Sequence, residues 1–391
     1  MTENTDVTPD ALDRFRAAVL ADSALQDALQ GYDDGAAFIP RALALAEARD
    51  IHVAPEDLRR ALRSDLLGIA RWSDAPPSDA VPQRGWLPVN VLPAQGELCI
   101  DWAYFGGRPL DAPFYEDSVR RALSRPLNRL ARHRSRLIDL PDMVARLSVP
   151  RPRGFIFHMS RCGSTLVSQM LAGDPRNIVI SEAAPIDAVV RLDPGSDGAP
   201  HAALLAAMVS AFGQRRTSAQ AHCFVKLDSW HTIALPLFRR AFPDVPWVFL
   251  YREPGAVLAS QMNRRGIQTL PEYLPPALFG LELDDGGRPE DYCARVLART
   301  CEAVLEPFAQ GGGLLVKYSQ LPGALWTAIL PHFGIAPDAD DRARMAVTAG
   351  FDAKAPQLAF SGRAAPDAAL QAIAERHIGG VYGRLEALRG R

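Results

Sequence analysis

Apolar positions in the first sixty residues recur at helical spacing. Leu12, Phe15 and Val19 share one face, and Leu25 and Leu29 continue it, so residues 9–63 predict a small bundle of short helices. Asp22-Ser23 supplies a cap for the second helix, and Gly31 interrupts the run. Ala54-Pro55-Glu56-Asp57 reads as a further helix start, with proline and acids in the first turn, where a missing N–H is harmless and negative charge meets the helix dipole. From about residue 153 the period changes. Short apolar runs at 155–159, 177–180, 223–226, 247–251 and 314–318 alternate with helix-like stretches. That alternation predicts an α/β domain, a three-layer fold with helices about a central parallel sheet. Gly195-Ser196-Asp197-Gly198 and Asp284-Asp285-Gly286-Gly287 read as surface loops.

Residues 64–150 follow neither pattern. A proline-rich stretch at 75–82 reads as linker. An aromatic segment follows, Asp101-Trp102-Ala103-Tyr104-Phe105-Gly106-Gly107, suited to core packing or to lining an acceptor pocket. Tyr115-Glu116-Asp117-Ser118 then leads into an arginine-rich helix with Arg120, Arg121, Arg125, Arg129, Arg132, Arg134 and Arg136. Such a run predicts a solvated face, with an anion-holding role as the alternative. The chain thus divides into a small helical domain at 1–65, a linker and accessory mixed region at 66–150, and the α/β domain at 151–391.

Composition narrows the function class. The 391 residues carry a net charge of -2, and no basic excess is present to neutralise nucleic-acid phosphates. The polar, acidic start lacks the apolar run of a secretory signal, and no window approaches the ~18 apolar residues of a membrane span. The five cysteines are widely spaced with no C-x-x-C pair, which predicts reduced, buried thiols in a cytoplasmic protein rather than a disulfide framework or structural zinc. His158, His222, His231 and His332 match no triad or metal spacing and read as structural.

The chemistry gathers around one turn. After the run at 155–159 comes Ser160-Arg161-Cys162-Gly163-Ser164-Thr165, then a helix through Leu166 and Leu171. A tight turn between strand and helix aims backbone N–H groups and a helix N-terminus at one spot, an anion site. Gly163 permits close backbone approach, Ser164 and Thr165 add hydroxyls, and Arg161 adds a permanent forked charge. The G-x-x-x-x-G-K-[ST] pattern is not met, because Ser164 stands where the lysine belongs. An ordinary capped helix start is the alternative.

Arg161-Cys162-Gly163-Ser164-Thr165 resembles the 5′-phosphosulfate loop of the sulfotransferase superfamily, in its tyrosylprotein and bacterial branches more than its cytosolic small-molecule branch. Cys162 replaces the usual serine. A second segment resembling the superfamily lies about 90 residues on: Phe249-Leu250-Tyr251-Arg252-Glu253-Pro254, with Ser260 two turns into the following helix. The resemblance implies that Arg252 and Ser260 bind a 3′-phosphate. Arg264, four residues beyond Ser260, is placed on the same helical face and matches a phosphate-binding arginine of the tyrosylprotein branch. Glu182, 21 residues beyond Arg161, matches the branch's general base; a helix N-cap or first-turn acid before Pro185 is the alternative. Lys226, in Val225-Lys226-Leu227-Asp228, matches a stabiliser of the transferring group; an ion pair with Asp228 is the alternative. Val316-Lys317-Tyr318-Ser319-Gln320-Leu321 resembles a Lys-Tyr-Glu-Asp-Leu segment, with Tyr318 implied at the nucleotide. Ser361-Gly362-Arg363 is a candidate nucleotide loop.

The resemblance implies a P-loop fold and metal-free, in-line transfer of a sulfuryl group from 3′-phosphoadenosine-5′-phosphosulfate to a hydroxyl on a small molecule or peptide. An ATP-dependent kinase-like transferase and a non-catalytic nucleotide- or peptide-binding scaffold are the alternatives. The N-terminal segments Leu12-Asp13-Arg14-Phe15, Asp22-Ser23-Ala24-Leu25-Gln26 and Ala54-Pro55-Glu56-Asp57-Leu58 also resemble the leader-like helical domains first described near nitrogen-fixation genes.

Overall fold

The computed structural model describes residues 10–63, 84–147, 149–192, 198–283, 287–352, 355–359 and 367–390. The chain forms two units: Met1–Pro109 with Glu116–Val149 and Gln214–Ser218, and Leu110–Tyr115 with Pro150–Gly213 and Ala219–Arg391.

The first unit opens with α1 (Ala11–Ala21), α2 (Ser23–Leu29), α3 (Gly35–Glu47) and α4 (Pro55–Ala61). Each of the first three starts on an aspartate whose carboxylate accepts from backbone N–H groups of the first turn: Asp10 from Asp13, Asp22 from Ala24 and Asp34 from Ala37. The apolar stripe read from the sequence faces inward, with Phe15, Val19, Leu29 and Phe38 fully buried.

The middle of the chain departs from the sequence reading. Trp86–Ala94 (β1), Glu97–Tyr104 (β2) and His133–Arg136 (β3) form an antiparallel sheet in the order β1-β2-β3. The arginine-rich run is therefore not one helix. Tyr115–Leu123 (α5) ends before Pro126, which starts a separate short helix, α6 (Pro126–Leu130), because proline cannot continue the earlier one. Arg134 and Arg136 lie on β3, with Arg134 opposite Asp101. Arg134 is only 4% exposed. It grips Asp101 with two hydrogen bonds of 2.7 and 3.1 Å, so this charge is paired inside the unit and not solvated. The aromatic segment is core: Trp102, Tyr104 and Phe105 are buried, and Trp102 Nε1 donates to Ser135 Oγ at 2.9 Å. A last short helix, α7 (Leu140–Ala145), follows.

The second unit is built on a five-stranded, wholly parallel sheet, β4 (Gly154–His158), β5 (Asn177–Ser181), β6 (His222–Lys226), β7 (Trp247–Tyr251) and β8 (Gly313–Lys317). The order is β5-β6-β4-β7-β8. Helices α8 (Ser164–Ala172), α9 (Ala184–Val190), α10 (Gly198–Phe212), α11 (Leu235–Ala241), α12 (Pro254–Asn263) and α13 (Pro289–Glu302) flank it. All residues of β4 and β7 are buried, as expected of strands covered on both faces. On one side Phe155, Phe157, Phe238 and Trp247 meet edge to face at 5.4–6.1 Å. All five cysteines are free and buried. Among the described residues no helix is long and apolar enough to cross a membrane.

The connection leaving β4 runs toward β5 and that leaving β7 runs toward β8. The winding reverses between these neighbours, and ligands of open α/β sheets bind outside the strand ends at such a point. Residues just past the strand ends are Arg161, Glu182, Asp228, Arg252 and Tyr318.

Candidate active site

The turn after β4 is wound to gather N–H groups. Ser160, Arg161 and Gly163 have φ of 78°, 53° and 88°, and a left-handed stretch directs successive amides toward one concavity. Gly163 caps α8 without any side-chain cap, leaving the first-turn N–H groups open. A Cβ at Gly163 would lie 2.7 Å from Leu321 Cδ1 and 3.0 Å from the Tyr318 ring. Gly163→Ala combines that clash with a left-handed backbone. It is expected to lower stability by about 1–3 kcal/mol in a denaturant titration, and an unchanged midpoint would show that the turn relaxes freely.

The thiol of Cys162, the departure from the expected serine, is buried and engaged. It donates to the Leu250 carbonyl at 3.1 Å, and burial pushes its pKa up to about 12. The side chain fastens the turn to β7, while the cradle is made by backbone. Gln261 of α12 adds a second fastening. Fully buried, it donates to Ser160 Oγ at 3.0 Å and accepts from Gly266 N–H at 2.8 Å. Arg161 donates to the Arg264 carbonyl.

Glu182 sits at φ 54° just past β5, and its N–H donates to the Lys226 carbonyl at 2.8 Å. It caps nothing, because Ala183 occupies the N-cap of α9. Its carboxylate meets the Lys226 ammonium directly and lies 3.5 Å from His158 Nε2. Burial alone would raise the Glu182 pKa. The Lys226 charge and His158 outweigh it and hold the carboxyl well below the usual range. Lys226 therefore pairs with Glu182 and not with Asp228. It is fully buried, and its ammonium is 5.0 Å from the centroid of the Phe114 ring.

His158 is more than a structural histidine. Its Nδ1 accepts from Ser160 N–H at 3.0 Å, which assigns the proton to Nε2, and Nε2 donates to the Leu227 carbonyl at 2.9 Å. Burial lowers its pKa and keeps the ring neutral beside Glu182.

Arg252, just past β7, stacks its guanidinium 4.3 Å from the centre of the Tyr318 ring. Its Nη1 reaches the Arg161 carbonyl at 3.5 Å, and its buried Nε–H has no hydrogen-bond partner among the described residues. The phosphate-type ligand implied by the sequence suits these groups: an orphaned cationic donor, an uncapped helix start and the hydroxyls of Ser164 and Thr165 border the same space.

That space is a cavity of about 480 Å³, within the usual size of a small-ligand site. Arg161, Cys162, Gly163, Ser164, Thr165, Glu182, Arg252 and Tyr318 all line it. Lys226 does not; it stands behind Glu182. Ser260, half-buried on α12, and Arg264 are also outside the lining. Arg264 is not on the helical face with Ser260, because α12 ends at Asn263 and Arg264 leaves it with extended backbone at φ -151°. Ser361-Gly362-Arg363 lies outside the described residues.

No protein-family model and no curated protein matches the chain. Solved structures similar to it include the sulfotransferase domain from the curacin biosynthetic pathway, at 15% identity over 61% of this chain and 98% of that one, with a TM-score of 0.38. The sulfotransferase domain from the Synechococcus PCC 7002 olefin synthase is similar at 18% identity over 59% and 96%, with a TM-score of 0.35. Sulfotransferase STF9 from Mycobacterium avium is similar at 14% identity over 61% and 79%, with a TM-score of 0.38.

Asp187, Asp228 and His231 cluster with ligand-type atoms within 4.8 Å of one another. Their donors are already committed. Asp187 Oδ1 accepts from Trp230 Nε1 at 2.6 Å and from His231 Nε2 at 2.9 Å. Burial, with Glu182 and Asp187 nearby, pushes the Asp228 pKa well above the usual carboxylate range. The group forms a hydrogen-bonded support better than a cage for a divalent cation. Asp228, His158 and Phe114 are lining residues that the sequence reading did not select.

Proposed function

We propose that this chain is a sulfotransferase that moves a sulfuryl group from 3′-phosphoadenosine-5′-phosphosulfate to a hydroxyl of a small molecule or peptide. The observation that carries the reading is one cavity holding a lysine-free anion cradle, an orphaned buried Arg252 donor and an ionised Glu182. When bound, the donor supplies an electrophilic sulfur with a phosphate leaving group.

The cradle's N–H groups, the hydroxyls of Ser164 and Thr165, and Arg161 hold the 5′ end and stabilise negative charge there. Arg252 holds the 3′-phosphate, and Tyr318 supports the Arg252 guanidinium. Glu182 takes the proton of the attacking hydroxyl as the new O–S bond forms and the S–O bond to the leaving phosphate breaks. A strongly ion-paired carboxylate is a weak base at rest. It suffices here because the hydroxyl proton becomes acidic as its oxygen gives up electron density to sulfur. Lys226 keeps Glu182 ionised, and neutral His158 fixes its orientation. A serine in place of the P-loop lysine speaks against magnesium-nucleotide chemistry. Five free buried thiols fit a reducing, cytoplasmic setting.

Arg252 gives the test of the donor assignment. Arg252→Ala is expected to weaken adenosine 3′,5′-bisphosphate binding by about 10–100-fold in calorimetry, the range of a charge-assisted hydrogen bond. Unchanged affinity would contradict the assignment.

A further inference from the structure

Arg252 and Tyr318 are the first residues past two neighbouring strands, and the residues just before them are tied to one carboxylate. Tyr251 and Lys317 face each other as the last pair of β7 and β8, and Arg252 and Tyr318 follow them directly. Glu386, on the helix Gly380–Arg389, meets both members of that pair. The Tyr251 O–H donates to Glu386 Oε1, and Lys317 Nζ donates to Glu386 Oε2 at 3.3 Å. Arg389 donates through Nε to the Tyr251 oxygen at 3.0 Å and to Glu386 Oε1 at 3.3 Å, so the carboxylate is itself held in place. Lys317 Nζ also lies 3.2 Å from Glu253 Oε1, which engages the acid next to Arg252 in the chain with a lysine. Tyr251 is fully buried, where an unpaired O–H is costly, so its tie to Glu386 is a fixed feature of the strand end.

We propose that Glu386 is a positioning residue for the 3′-phosphate: it holds the Tyr251–Lys317 pair closed and so fixes the stack of Arg252 on Tyr318 that receives the anion. The inference rests on the sulfotransferase reading of the cavity. An arginine side chain has many rotamers, and an anion binds it more tightly when its direction is set before the ligand arrives. The Tyr318 ring sets that direction, with its centre 4.3 Å from the Arg252 guanidinium carbon. It can do so only while the two strand ends keep their register and separation. β7 ends at Tyr251 and β8 at Lys317, so this last pair is where the sheet would fray first. A carboxylate that bridges the two side chains opposes that opening, as the supporting groups of a precise binding site must. Glu386 is not a lining residue of the cavity, so its effect reaches the ligand through Arg252 and Tyr318. The cradle at Arg161 to Thr165 follows β4, and neither Tyr251 nor Lys317 belongs to it. Loss of Glu386 should therefore weaken the grip on the 3′-phosphate and spare the grip on the 5′ end.

The experiment uses the full chain and two probes, adenosine 3′,5′-bisphosphate and adenosine 5′-monophosphate, which lacks the 3′-phosphate. The ratio of their affinities in calorimetric titrations reads the 3′ contact and cancels changes common to both nucleotides. The wild type is expected to favour the bisphosphate by about 10–100-fold, the range of a charge-assisted hydrogen bond. Glu386→Leu should cut that preference by about tenfold, the size of coupling within one hydrogen-bonded network. Glu386→Gln, whose amide oxygen still accepts from Tyr251, should keep it within about threefold. In an Arg252→Ala background Glu386→Leu should change the ratio by less than about twofold, because the group it positions is gone. A preference unchanged in Glu386→Leu, or a fall of equal size with and without Arg252, overturns the proposal and leaves Glu386 a support of the fold alone. Should the Leu variant not fold, Tyr251→Phe decides, since it removes only the O–H that Glu386 holds. A fall of about threefold or more supports the proposal, and an unchanged preference overturns it. A wild type with no preference for the bisphosphate would fault the sulfotransferase reading itself, whereas a wild-type preference that Glu386→Leu leaves intact faults only the role of Glu386.

Discussion

Glu182→Gln is expected to reduce turnover by about 10²–10⁴-fold, the usual contribution of a positioned general base. Affinity for adenosine 3′,5′-bisphosphate should stay within about threefold, because the substitution keeps the size of the side chain and its cavity wall intact. The retained amide oxygen still accepts from Lys226, so a cavity or an orphaned ammonium cannot account for the loss. Single-turnover transfer measured beside calorimetric affinity separates the two effects. Turnover close to wild type would move the base elsewhere. His158 is a poor substitute, since both of its ring nitrogens are engaged and burial lowers its affinity for a proton.

Lys226→Met has the largest expected effect on stability. Methionine preserves the length of the stem and removes only the ammonium, leaving Glu182 beside a low-dielectric wall. Removing one partner of a buried pair costs ~3–5 kcal/mol. The lower end applies here, because the Glu182 side chain is 22% exposed toward the cavity. The pH dependence follows from the direction of the Glu182 shift. In the wild type its carboxyl lies below its ordinary value of 4.5, so the pair stabilises the fold above that pH and is lost as pH falls through the depressed pKa. In the variant burial prevails and the pKa rises. The stability gap should therefore be widest at neutral pH and shrink toward acid, and the acid limb of the rate profile should move to higher pH. Denaturant titrations across pH check this. A gap that does not change with pH would mean that Lys226 acts by packing alone. Adding Glu182→Gln to Lys226→Met should recover part of the loss, since no buried charge then remains unpaired.

The parallel sheet was legible because each strand is a short apolar run that must be covered on both faces; the predicted runs at 155–159 and 314–318 match β4 and β8 to within one residue. The turn at Arg161 to Thr165 was legible because its chemistry is local: one glycine, two hydroxyls and a charge in consecutive positions. The small antiparallel sheet was not, since Pro88 and Pro93 interrupt the strand pattern of β1 and the arginines mask β3 as a charged helix. Only the pairing of Arg134 with Asp101 across two strands accounts for a buried guanidinium there. Arg264 was misplaced because nothing in Gln-Met-Asn-Arg-Arg-Gly marks the end of α12, which the Gln261 to Gly266 bond helps to set. His158, Asp228 and Phe114 share the same difficulty. Each is an ordinary residue in its own segment, and its relation to Glu182 or Lys226 comes from register between strands or from a segment some forty residues before β4.

On the function proposed above, the cavity takes a 3′-phosphorylated adenosine nucleotide and not a magnesium-bound triphosphate. Thermal unfolding of the full chain with adenosine 3′,5′-bisphosphate, compared with ATP and Mg²⁺ at the same concentration, tests this most directly. At about 100 times the dissociation constant a bound ligand adds ~2.7 kcal/mol to stability, which is a readable rise in Tm. Such a rise is expected with the bisphosphate, with little or none from ATP and Mg²⁺, and it should be lost in Arg252→Ala. An equal or larger rise with ATP and Mg²⁺, or no response to the bisphosphate, would contradict it.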